Sequence, residues 1–264
     1  MTDQYPRRAA TAIRAFSVFA YLAFWVSAGW GIVFLADVRL LPTVDTAGTR
    51  SGTAAVAVDL ALLLVFAVHH SVAARPSVKA RLARFVPAPM ERSLFVLVAS
   101  GCLALVFWQW QSLPATVWHV DAQPWVAVLW TTYLVSWLGV IASTLPTGHF
   151  EFLGLRQAGW FRRDRTPAPS SLAVGSIYAW VRHPMMFFLL ITFWVTPHMS
   201  VGHLLFALAG SGYIGVGILF EEADLRRQYG AAYRDYASRV PALLPRRPRS
   251  GRVGSEVVPD QPHR

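Results

Sequence analysis

Five stretches of this chain, near residues 13–36, 53–74, 93–113, 124–146 and 201–220, are apolar over about 20 residues or more. A helix of that length rises about 30 Å, the thickness of a bilayer's hydrocarbon core. Inside lipid each backbone N–H and C=O must find its partner within the protein, so such runs fold as spanning helices. The expected fold is all-α: a polytopic membrane helical bundle with five to six transmembrane helices. Composition agrees, with 55% hydrophobic and only 14% charged residues among 264, a balance that excludes an ordinary soluble domain.

A sixth apolar run, 184–196, is shorter. Its roughly 13 residues give about 20 Å of helix, too little to cross alone. It must begin upstream near Val174, tilt, or pair closely with the next helix across Thr196-Pro197-His198. A tight hairpin of the last two helices is the expectation.

Charge placement tests this topology separately. With six crossings and the N-terminus inside, only Arg39 and Arg50 of the 24 Lys+Arg fall outside. That asymmetry is what the positive-inside rule requires, and it predicts an integral membrane protein, of the bacterial inner membrane, with both termini cytoplasmic. The net charge of +10 is scattered over several inner loops, so it argues for topology and against a nucleic-acid partner. The first run has basic flanks but no small-residue cleavage site, and reads as a retained anchor. The one cysteine, Cys102, lies in an apolar run and reads as packing.

Residues 1–245 read as a single membrane-embedded domain and 246–264 as a mobile basic cytoplasmic tail with little to bury. Between them, 157–171 form the longest inner loop, and Leu172 to Val181 suit a short element along the interface. Gly210-Ser211-Gly212-Tyr213-Ile214-Gly215 matches a dinucleotide-binding pattern, but that pattern has meaning only between a strand and a helix. Here it sits in a membrane helix and predicts close packing, with Ser211 and Gly215 as a small pair.

Chemistry gathers near the C-terminal end. Val181-Arg182-His183-Pro184 stands at the mouth of one apolar segment and Glu221-Glu222 at the exit of the next, on the same predicted face. Ionisable groups beside hydrocarbon are costly, about 2.5 to 3.5 kcal/mol at a helix centre on insertion scales, and persist where a partner compensates them. Two readings stay open. A guanidinium fork suits a carboxylate and a carboxylate suits an ammonium, so the set can hold a zwitterionic amino-acid moiety such as that of S-adenosylmethionine. Equally, Arg182 can pair with Glu221 or Glu222 simply to neutralise helix ends.

Leu172 to Gly175, Tyr178, Arg182-His183-Pro184, Glu221-Glu222, Leu225, Tyr229-Gly230, Tyr233, Tyr236 and Val240-Pro241 to Pro245 resemble the C-terminal signature of a group of membrane methyltransferases. The group includes isoprenylcysteine carboxyl methyltransferases and phospholipid methyltransferases. The wider pattern, with His70-Ser71 to Arg75-Pro76, Glu91-Arg92-Ser93, Phe107-Trp108-Gln109-Trp110, His149-Phe150 and Gly154-Leu155-Arg156-Gln157, is similar to methanethiol S-methyltransferases. The resemblance spans nearly all of the chain before the tail. One departure is Met186, which stands where the family usually carries a tyrosine.

The resemblance implies methyl transfer from S-adenosyl-L-methionine, the cofactor, to methanethiol, giving dimethyl sulfide. By match to the motif, Tyr178, Arg182, His183, Glu221 and Glu222 line the cofactor pocket, with Leu172 to Gly175 near the adenosine. Thiolate is the nucleophile and a small thiol is mostly protonated near neutral pH. His183, Glu221 and Glu222 are therefore the catalytic candidates for accepting the proton. No Cys/His spacing suggests a zinc site, so no metal is expected. The partners implied are a small thiol and the lipid bilayer, with no obligate protein partner.

Other polar groups have weaker claims. Asp59, His69 and His70 lie in or at the end of the second run and are candidates by position, with an interhelical contact as the plainer reading of His69. His149 and Glu151 follow the Pro146 break at the same inner face, where they suit loop anchoring or a supporting role beside the substrate. His198 and His203 read as structural. Tyr229, Tyr233 and Tyr236 share a helix face by spacing, and the tryptophans near helix ends read as an interfacial belt. Three functions are separable: methanethiol methylation, methylation of another acceptor such as an isoprenylcysteine carboxylate or phospholipid amine, and a non-enzymatic membrane accessory of denitrification.

Overall fold

The computed structural model describes residues 5–46, 48–161 and 174–245. The expected tail at 246–264, most of the inner loop and Leu172 lie outside the described residues. The apolar runs are helices: α1 (Arg7–Leu35), α2 (Gly52–Ala73), α4 (Ala88–Gln109), α5 (Gln123–Thr144) and α8 (Val201–Arg239) are each long and apolar enough to cross a membrane. Short α3 (Pro76–Leu82) and α6 (His149–Phe152) lie in the connections at the arginine-rich end. The protein is an integral membrane protein with an all-α spanning bundle.

The sixth run is α7, Pro184–Trp194, of 11 residues. It does not extend upstream, because Pro184 has no N–H to give and its ring favours the first helical position. Residues 176–179 before it form only a 3-10 turn, which stands where the interfacial element was expected. At about 16 Å, α7 is too short to cross alone and packs between α5 and α8. Gly139 permits the α5 contact: a Cβ there would lie 2.5 Å from the Phe188 ring.

The connection within the last helical pair is a strand, which the sequence analysis does not anticipate. β1 (Thr116–His119) pairs antiparallel with β2 (His198–Ser200), placing Trp118 opposite Met199. The ribbon ties the α4–α5 and α7–α8 connections together at the end of the bundle away from the arginines. Ser200 then caps α8, its Oγ accepting from the His203 N–H at 3.0 Å.

Phe34, Val106, Phe107, Trp110, Tyr133 and Phe206 form the buried core. Phe34 and Phe107 centroids are 4.6 Å apart, and Gly31 admits the Phe107 ring against α1. Polar bonds join the helices: Tyr133 Oη donates to Ile32 O at 2.7 Å and Ser27 Oγ to Ser100 O at 3.0 Å. In lipid, such bonds and close packing replace the hydrophobic drive between helices. Trp108 and Trp125 are exposed and suit an interfacial belt, whereas Trp110 is fully buried and belongs to the core.

Asp59 is buried and accepts from the Gln111 N–H at 2.7 Å, closing the chain where α4 ends. In α8, Gly210 is the close-packing position, since a Cβ would meet the Phe193 ring at 2.8 Å. Ser211 instead accepts from Trp194 Nε1 at 2.9 Å, and a Cβ at Gly215 would meet nothing. The packing pair expected from the sequence is thus displaced by one residue and uses only one glycine.

Candidate active site

α8 is apolar to Phe220 and polar from Glu221 onward, then breaks at Gly230, whose φ of 54° is left-handed. The break puts Tyr233, Tyr236 and Val240 into a small cluster with Val174, Leu225 and Tyr229. Past the helix the chain runs alongside the α7 entry, where the Arg182 N–H donates to Pro241 O at 2.9 Å and the His183 N–H to Ala242 O at 3.1 Å. Two backbone bonds therefore hold the Arg182-His183 pair against the end of the chain.

These elements bring Arg182, His183, Glu221 and Glu222 together. Arg182 Nε donates to Glu222 Oε1 at 2.8 Å and Nη2 to the same oxygen at 2.5 Å. Its Nη1 donates to Ala237 O at 2.8 Å and Val240 O at 2.6 Å. Four of the five guanidinium N–H groups thus have protein partners, and one on Nη2 is left among the described residues. Arg182 is a clamp as much as a fork: it fixes Glu222, the last turns of α8 and the chain beyond them.

Glu222 Oε1 also lies 3.3 Å from His183 Nε2, and its Oε2 accepts from Arg226 Nη2 at 2.6 Å. His183 Nδ1 lies 3.4 Å from Glu221 Oε2. Burial of His183 works against the charged ring, but the bonds and charges of Glu221 and Glu222 outweigh it and raise the pKa above the usual imidazole value. The arrangement therefore favours an imidazolium that donates from both nitrogens. Glu221 is the open carboxylate, with a side chain 47% exposed against 7% for Glu222.

Tyr178 links this network to α5. Its carbonyl accepts from Tyr236 Oη at 2.6 Å and its own Oη donates to Ser143 O at 3.2 Å; burial raises its pKa. Gly175 leads the 3-10 turn, and a Cβ there would meet nothing within 4 Å among the described residues. Tyr233 is 1% exposed, yet its hydroxyl has no partner among the described residues. Met186 is half-buried in the first turn of α7.

This donor set fits an amino-acid moiety. Glu221 can accept from an ammonium, while the remaining Nη2 hydrogen of Arg182, the half-exposed Arg226 and the Tyr233 hydroxyl can donate to a carboxylate. Arg226 was missed in the sequence, although its position four residues after Glu222 on a helix is a readable signal.

The other candidates fall elsewhere. His149 lies in α6, with Nδ1 2.8 Å from Thr144 Oγ1, one residue along from the Ser143 that holds Tyr178. Glu151 faces Arg156 at 3.8 Å. His69 and His70 stack on Phe95 and Phe66 respectively. At the far end, His203 Nε2 lies 2.9 Å from Phe193 O, and a cavity of about 240 Å³ is lined by Asp37, Asp45, His119 and His198 among others.

Fold and site together define a polytopic helical membrane protein with a buried ion-pair network joining its last two helices. The model of the family described as NnrU protein matches residues 60–216. The chain is 44% identical over 226 residues to "Methanethiol S-methyltransferase" of Mycobacterium tuberculosis, covering 86% of this chain and 93% of that one. It is 40% identical over 238 residues to "Methanethiol S-methyltransferase 2" of Bradyrhizobium diazoefficiens, covering 89% and 90%. Nurim of Rattus norvegicus is 32% identical over 188 residues, covering 67% and 70%. No solved structure matches. The chain belongs to the methanethiol S-methyltransferase family.

Proposed function

We propose that this protein transfers a methyl group from S-adenosylmethionine to methanethiol, giving dimethyl sulfide, at the arginine-rich and cytoplasmic end of the bundle. The observation that carries the reading is the Arg182–Glu222–His183 network, set in a chain related along most of its length to proteins named for that reaction. The NnrU match ends at residue 216, before both glutamates. Residues 1–245 act as one domain in this reading.

A bound sulfonium supplies an already activated methyl. The protein's part is then to bind the donor, align the thiol, exclude water and accept a proton. Glu221 and the remaining Arg182 and Tyr233 donors hold the amino-acid end. The 174–178 segment, fastened by Tyr236 and Ser143, borders that end. Glu222, sharing its oxygens among Arg182, His183 and Arg226, keeps the cations in place.

The test is headspace gas chromatography of purified protein given methanethiol and S-adenosylmethionine, beside calorimetry with S-adenosylhomocysteine in detergent. Dimethyl sulfide formation and binding are expected. Binding without dimethyl sulfide, together with a labelled lipid product, moves the reading to another acceptor. Folded protein that does neither leaves a non-enzymatic membrane protein.

A further inference from the structure

A thiol methyltransferase needs a group to take the thiol proton, and the network just described is poorly suited to it, because His183 lies between two carboxylates and Glu222 is fully engaged. Resting on the methanethiol reading, we propose that His149 is the general base, with its Nε2 presented to the thiol beside the rings of Tyr21, Trp25 and Phe150.

The hydrogen bonds fix which ring nitrogen is free. Thr144 Oγ1 lies 2.7 Å from Ile141 O and 2.8 Å from His149 Nδ1. A hydroxyl has one hydrogen, and it goes to the carbonyl, which has none. Both contacts are bonds only when His149 Nδ1 carries the proton and donates to Thr144. The lone pair is then on Nε2, oriented as a catalytic histidine is oriented by a partner on its other nitrogen. Its nearest polar neighbour is the Tyr21 hydroxyl at 3.4 Å, a long contact that a small thiol can replace.

The surroundings suit the substrate. Tyr21, Trp25 and Phe150 ring centroids lie 6.0, 5.9 and 5.3 Å from the imidazole. Aromatic faces favour a methyl sulfide or thiol and attract a sulfonium. His149 is half-buried, and burial lowers its pKa, keeping the ring neutral near neutral pH. The ionisable groups around it are Tyr21 on α1 and Glu151 on its own turn, the latter 3.8 Å from Arg156. The position is joined to the donor end through the chain Tyr236, Tyr178 and Ser143, the residue before Thr144.

In the step, the thiol S–H bond breaks and its proton passes to His149 Nε2. The sulfur's electron pair forms the new S–CH3 bond, while the methyl's old bond breaks with its pair going to the donor's sulfur. The proton leaves His149 to water after the neutral sulfide departs.

The experiment compares His149→Gln with the unmodified protein, reading dimethyl sulfide formation from methanethiol across pH together with S-adenosylhomocysteine affinity. Affinity is expected to be unchanged and the rate near neutral pH to fall about 10² to 10⁴-fold. That deficit shrinks about tenfold per pH unit as the free thiol ionises on its own. A deficit constant across pH, or no deficit, overturns the proposal. Thr144→Val keeps the imidazole and is expected to give a smaller deficit with the same pH trend; it decides the matter should the glutamine variant fail to fold, and a pH-independent result there overturns the proposal equally. An unmodified protein that makes no dimethyl sulfide fails the parent reading instead.

Discussion

The two ends of the bundle hold similar side chains arranged for different ends. At the ribbon end, carboxylates and an amide close loops: Asp59 accepts from the Gln111 N–H, Asp37 from the Thr43 hydroxyl, and the Gln111 side-chain oxygen accepts from the N–H groups of Thr49 and Arg50. Among the described residues its ionic contacts join only histidine to aspartate, as in His198 to Asp45 at 3.8 Å. At the arginine-rich end a carboxylate is shared by three cationic side chains, and the partners on its rim, Glu221 and Arg226, are about half exposed. The cavity of about 240 Å³ lies at the ribbon end. Hollow space alone therefore does not mark the site. What marks the proposed site is a buried charge network with unspent capacity at its edge.

The largest expected effect tests the charged end. Arg182→Ala leaves Glu222 buried without its main partner, and Glu222→Ala does the reverse. Removing one member of a buried pair costs about 3–5 kcal/mol, and here the side chains are 11% and 7% exposed. Each variant is expected to insert in the membrane, melt at lower temperature and lose measurable S-adenosylhomocysteine binding. The double variant Arg182→Met with Glu222→Leu recovers much of the stability, since neither charge is stranded, but not the binding. Unchanged affinity in both single variants removes the cofactor from this end.

A smaller effect is expected at the ribbon end. Asp59→Ala strands the buried Gln111 N–H, costing about 1–3 kcal/mol. Thermal unfolding in detergent reads that loss, while S-adenosylhomocysteine affinity of the folded protein stays as it was. A matching loss of affinity would mean that the two ends are coupled through α2 and α4 and that the contrast between them is too sharp.

The parts legible in sequence are those whose signal is carried by the side chains themselves. Spanning helices announce themselves by apolar length, and Arg182-His183 and Glu221-Glu222 stand out because charge next to hydrocarbon needs a reason. The β1–β2 ribbon was not legible, because three or four residues in a loop carry no period that separates a strand from a turn. Nor were the Ala237 and Val240 carbonyls that hold Arg182, since every residue offers a carbonyl and only the break at Gly230 and the end of α8 aim these two. The tyrosine spacing holds as a helical face only for Tyr233 and Tyr236, because that break separates Tyr229 from these two more buried rings. Asp59 shows the converse: an acid in a membrane helix looked functional, and its partner is a backbone N–H far along the chain.

The smallest expected effect is a pH dependence at the charged end. His183 has a folded-state pKa above its unfolded value of about 6.5, with burial opposing the shift and Glu221 and Glu222 producing it. A raised value means the folded state binds the proton more tightly. The stabilisation is complete below about 6.5 and is lost as pH rises through the folded-state value. Arg182 and Arg226 also face Glu222. The melting temperature of the unmodified protein should therefore fall as pH rises above about 6.5. His183→Gln, which cannot titrate, should flatten that slope. A slope that survives in His183→Gln would assign the titration to another group and remove the imidazolium from the network.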